Sequence, residues 1–69
     1  MSIPIAAIER VARNAGVDRI SAEALKELQD TLEDIALEIA REAAVAAKHA
    51  GRKTITAEDV YLVSGKQKP

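Results

Sequence analysis

Displaced by 35 positions, the chain matches itself. Val11–Leu25 reads VARNAGVDRISAEAL and Ala46–Val60 reads AAKHAGRKTITAEDV; six of the fifteen positions are identical, and Arg13/Lys48, Ser21/Thr56 and Leu25/Val60 are close substitutions. Each copy spells the same local sequence of events. A helical stretch runs into a glycine, Gly16 or Gly51, which takes the left-handed position after a helix at little steric cost. Three residues then lead to Ile20 or Ile55 in a stretch short enough only for an extended link. A hydroxyl, Ser21 or Thr56, follows as the cap of a new helix with an acid in its first turn. The helix opened by the first copy is the one closed by the second. The pattern is helix–link–helix twice around one shared central helix, a pseudo-two-fold protomer.

That is little architecture for 69 residues to hold alone. Hydrophobic residues make up 48% of the chain, but 14 of them are alanine, and Tyr61 is the one aromatic. Chains of this size bury only about 60% of their unfolded surface and need a disulfide, a metal or a partner. With no cysteine, disulfides and thiolate metal sites are excluded, which leaves a second protein chain. Pro4 suits an opening turn, and Ile5, Ile8, Val11, Ala12 and Ala15 follow at helical spacing. From Ser21 to about Ala50 there is no Gly or Pro, and Leu25, Leu28, Leu32, Ile35, Ile39, Ala43 and Ala46 fall close to a heptad seam. At 1.5 Å per residue this helix is roughly 40 Å long, more than the flanking helices of one protomer can cover. The third helix is expected from Thr56, where Thr56-x-x-Asp59 resembles a capping box, to Ser64-Gly65.

Charge is unevenly placed. Residues 1–22 balance to +1, residues 23–47 to −5 and residues 48–69 to +3, within a net −1. The bases gather in the first helix and at the two loops, and the acids along the middle of the long helix. Screening confines surface charge to a reach of about 10 Å, so this distribution outweighs the total.

Ile3-Pro4-Ile5-Ala6, Arg10, Ala15-Gly16, Arg19-Ile20-Ser21 and His49-Ala50-Gly51-Arg52-Lys53-Thr54-Ile55, followed by Ala57-Glu58-Asp59, together resemble the archaeal histones without a gap from Met1 to about Leu62. The resemblance implies an all-α histone fold: short helix, loop, long central helix, loop, short helix. It also implies a handshake dimer in which the long helices cross and each first loop pairs with the partner's second loop. The expected organisation is one histone-fold domain over 1–64 and a short polar tail over 65–69. The implied partner is double-stranded DNA, bent or wrapped without sequence readout. In this reading Arg19 enters the minor groove, as arginines of the related histone octamer do, held by Thr54 of the partner loop. Arg10 and Lys53 grip phosphates, Arg13 stands where a base is usual, and Ser21 and Thr56 cap helices and touch phosphate. Arg52 and Asp59 form a structural salt bridge, and Ala46, His49, Asp59 and Leu62 are placed at a dimer–dimer contact. Ala46 is smaller than the apolar residue usual there, the third helix is short, and Thr56 replaces a frequent lysine. These departures point to weak association of dimers away from DNA.

Competing readings are plain ones. Arg10 and Arg13 also fit a solvated helix face. The acids Asp30, Glu33, Asp34 and Glu38 fit a solvated ridge better than a metal site, and His49 lacks a second histidine or thiol for a transition metal. No nucleophile–base pair, glycine-rich phosphate loop or metal constellation occurs, so no enzyme activity and no cofactor are expected. The sequence predicts a homodimer, or a heterodimer with paralogues. No membrane association is expected, and the predicted location is the cytoplasm, on the chromosome. The alternative function is a histone-fold interaction subunit with little DNA binding of its own, which the net −1 charge favours.

Overall fold

The computed structural model describes residues 3–66, which form α1 (Ile5–Asn14), α2 (Ala22–His49) and α3 (Ala57–Ser64); no strand occurs among the described residues. Of the tail expected over 65–69, residues 67–69 lie outside the described residues. The chain divides into two compact units at Asp34/Ile35, one holding α1 with the first half of α2, the other holding the second half of α2 with α3.

In the first unit, α1 opens at Pro4, whose carbonyl accepts from Ala7 N–H at 3.0 Å and Ile8 N–H at 3.3 Å; no side chain caps it and no acid lies in its first turn. The helix buries Ile8 and Ala12, one turn apart on a single face. It stops through Gly16, where φ is +87°. Gly16 N–H donates to Arg13 O at 2.9 Å and Val17 N–H to Ala12 O at 3.4 Å, the paired bonds of a Schellman turn. The Ser21 hydroxyl then caps α2 by accepting from Ala24 N–H at 3.0 Å.

The second unit repeats this chemistry. α2 closes on Gly51 at φ +74°, with Gly51 N–H bonded to Lys48 O and Arg52 N–H to Ala47 O, both at 2.9 Å. A Cβ at either glycine would meet no atom within 4 Å, so the backbone angle and not lack of room selects glycine. Thr56 and Asp59 make both bonds of the capping box, and α3 runs eight residues to a left-handed Gly65.

Each unit is thinly cored. The fully buried apolar residues among those described are Ile8, Ala12, Ala43 and Ala47. Along the α2 seam only Ala43 is buried. Leu25, Leu28, Leu32, Ile39 and Ala46 are half-buried and Ile35 is exposed. Leu37, Val45 and Leu62, at 75% exposure, are open as well. These side chains are apolar surface that a second chain can cover.

Candidate nucleic-acid interface

The cations that the sequence singles out lie on the surface of both units. In the first, Arg10, Arg13 and Arg19 are exposed, as is Ser21. Ile8 and Ala12 face inward, and helical spacing turns Arg10 and Arg13 away from them. Arg13 pairs with Glu9 one turn earlier, Nη2 to Oε1 at 2.5 Å, with its side chain largely in solvent, where such a pair contributes little to stability. Arg19 sits in the link between the Gly16 turn and the Ser21 cap.

In the second unit, Lys53 and Thr54 are exposed and Thr56 half-buried. This loop is cross-braced. Arg52 Nη1 donates to Asp59 Oδ2 at 2.9 Å and to Thr54 O at 2.8 Å, and Nη2 donates to Asp59 Oδ1 at 2.8 Å. Asp59 Oδ2 also accepts from Thr56 N–H at 2.8 Å and from the Thr56 hydroxyl at 3.1 Å. The Arg52 hydrogen bonds first, and the Thr56 backbone bond second, hold the Asp59 carboxyl well below the usual carboxylate range. Asp59 is 5% exposed and its accepting capacity is nearly filled from its own loop. Ala46 is half-buried, and His49 and Leu62 are exposed.

The two loops differ at mated positions. Val17 and Ala24 stand where Arg52 and Asp59 stand 35 residues later, so the first loop has the turn and the cap without the brace. A hollow lies beside each loop, of about 270 Å³ in the first unit and about 540 Å³ in the second. Their walls use mated residues: Glu9/Ala44, Ala12/Ala47, Arg13/Lys48, Val17/Arg52, Asp18/Lys53 and Ile20/Ile55. The first hollow mixes both charge signs, whereas the second carries Lys48, Arg52 and Lys53 with no acid in its wall.

One constellation escapes the sequence reading. Gln29, 5% exposed, donates its amide to Ile3 O, while Ile3 N–H donates to Glu33 Oε1 at 2.6 Å. Lys26 Nζ contacts Gln29 Oε1 at 3.5 Å and Asp30 Oδ1 at 3.1 Å. The solvated ridge expected of the acids therefore holds at exposed Asp34 and Glu38, while Asp30 is half-buried and paired with Lys26, and Glu33 is half-buried and bonded to backbone. The available signal is a neutral amide among charges at one-turn spacing, which without a tertiary partner reads as surface.

No group of three or more His, Cys, Asp or Glu among the described residues could hold a metal, and no described helix is long and apolar enough to cross a membrane. A sequence profile of the family described as histone-like transcription factor (CBF/NF-Y) and archaeal histone matches residues 1–63. The chain is 50% identical over 60 residues to one of the subunits of archaeal histone HAN1 from Thermococcus zilligii, covering 87% of this chain and 90% of that protein. It is 48% identical over 58 residues to probable archaeal histone 3 of Methanocaldococcus jannaschii, covering 84% and 87%. Histone H4 of Dictyostelium discoideum is 38% identical over 61 residues, covering 88% of this chain and 56% of that protein.

Proposed function

Since the chain belongs to the family of archaeal histones and histone-like transcription factors, we propose that it compacts double-stranded DNA as a homodimer that bends or wraps the duplex. The family has the histone fold, with the handshake dimer as its standard arrangement; it is a family of DNA-binding chromatin proteins rather than enzymes. Support for the finer reading comes from charge placement. Arg10, Arg13, Arg19 and Lys53 are all exposed, on α1 and the two loops, while seven of the eleven acids lie on α2.

In the proposed complex Arg19 enters the minor groove, held by the partner's second loop through Thr54. Arg10, Arg13 and Lys53 bind phosphates, and Ser21 and Thr56 add contacts where their helices begin. Phosphate contacts fix position without reading bases, so binding is largely sequence-independent with a preference for easily bent DNA. The exposed Ile35, Leu37, Val45 and Ile55 favour a dimer as the folded species. The domain proper spans 1–64, with 65–69 a tail, and the protein's place is on the chromosome. Dimers would meet through Ala46, His49, Asp59 and Leu62, weakly away from DNA, because Ala46 offers one methyl group and Asp59 is committed to its own loop.

The second reading, an interaction subunit that dimerises without gripping DNA, is favoured by the net −1 charge and by the transcription factors within the matching family. Native mass spectrometry with and without a duplex of about 60 bp, under half a nucleosomal wrap, separates the two. Dimers loading onto the duplex support the packaging reading; a dimer that ignores DNA at low salt overturns it.

A further inference from the structure

We infer that Gln29 and Glu33 are positioning residues for the DNA contacts of α1, acting through the backbone of Ile3; the inference rests on the proposed DNA-binding role. α1 is ten residues long and is anchored by two buried side chains, Ile8 and Ala12. These lie one turn apart on one line along the helix, and the second is a single methyl group, so they leave the helix free to roll about that line. A third point of attachment is needed to fix the direction in which Arg10 and Arg13 project.

Ile3 supplies it. Both polar groups of this residue are taken by α2, its carbonyl by the Gln29 amide and its N–H by the Glu33 carboxylate at 2.6 Å. Gln29 and Glu33 are four residues apart and so lie on one face of α2. Lys26, one turn earlier, lies against Gln29 Oε1 and leaves the amide nitrogen to donate toward Ile3. Between the clamp and α1 stands Pro4, at φ −57° and ψ 136°, whose ring removes the softest torsion from the connection. Arg10 and Arg13 project away from the Ile8–Ala12 line, so the roll angle set at the clamp swings their guanidinium groups across the surface. The N-terminus of α1 also has no acid in its first turn and no side-chain cap. Glu33 supplies the missing negative charge from a different helix.

Duplex affinity at one low salt concentration tests this in the intact protein. Gln29→Leu keeps the volume and removes the donor; because Ile3 is only half-buried, water can satisfy its carbonyl and the fold persists. The expected loss is about fivefold in the parent and none in an Arg10→Ala, Arg13→Ala background, since contacts acting through the same arginines are not additive. An equal loss in both backgrounds, or no loss in the parent, overturns the inference. Should Gln29→Leu not fold, Glu33 decides: Glu33→Gln keeps an acceptor and retains affinity, Glu33→Leu loses it, and equal affinity of the two rejects the assignment. If the double arginine variant binds as the parent does, it is the α1 interface of the proposed function that fails.

Discussion

Arg52 and Asp59 face each other in a two-pronged ion pair, Nη1 to Oδ2 at 2.9 Å and Nη2 to Oδ1 at 2.8 Å, and the same arginine bonds Thr54 O at 2.8 Å. A single carboxylate thereby ties the end of α2, the loop carrying Lys53 and the cap of α3. Fork geometry of this kind is specific to arginine, and lysine at position 52 would keep the charge and lose the second bond.

The pH dependence follows from the depressed Asp59 pKa. An unfolded aspartate titrates near 3.9, and in the folded chain the value lies lower. The stabilisation is therefore complete above the unfolded value and is lost as pH falls below about 4 through the folded one. Thermal midpoints of the parent and Asp59→Asn should differ by a constant margin from about pH 6 to 8, with the gap closing below about pH 4. A gap that opens toward acid would contradict the assignment.

Folding should be bimolecular. The thermal midpoint is expected to rise with protein concentration, because a species that exists only as dimer follows mass action. Leu32→Ala, on the half-buried seam, should cost about 2–5 kcal/mol per site that the partner covers. Scanning calorimetry at two concentrations tenfold apart reads both effects.

Binding to unrelated duplexes should weaken steeply with salt as phosphate contacts displace counterions. Arg19→Ala should weaken every sequence alike while leaving the dimer folded. Lys53→Ala should lower the salt slope by about one contact per protomer. Titrations at several salt concentrations measure both, and an Arg19→Ala protein that binds as tightly as the parent would remove Arg19 from the groove.

In solution without DNA the protein should sediment as a dimer at micromolar concentration. Ala46→Leu adds apolar area of about 1–2 kcal/mol per side chain, and on DNA it should lengthen nuclease-protected fragments, because neighbours there meet at high effective concentration. A stable DNA-free tetramer of the parent would place the association surface elsewhere.

The local features of the fold were legible because each has a short-range cause. Gly16 and Gly51 announce their turns through the one backbone angle other residues avoid. Thr56 and Asp59 announce the capping box by spacing alone. The heptad seam of α2 was legible as a pattern, and in the structure it runs from exposed Ile35 through five half-buried positions to buried Ala43. The clamp on Ile3 was not legible, since nothing in the spacing of Gln29 and Glu33 says that a backbone 26 residues before the one and 30 before the other will lie against them. Arg19 and Lys53 could be marked as exposed cations near turns; the groove and phosphate roles proposed for them depend on a duplex and on a second protomer.

The unequal bracing of the two loops has a mechanical consequence. Both stop a helix with the same pair of backbone bonds, but only the second is cross-tied, because Val17 and Ala24 occupy the places of Arg52 and Asp59. The first loop, with Arg19, is the compliant member and the second, with Lys53, the stiff one. Where one lies beside the other across a handshake, a fixed strut backs a yielding finger. In the proposed complex such a pairing would hold the spacing between successive phosphate grips while Arg19 followed a groove whose width changes from one sequence to the next.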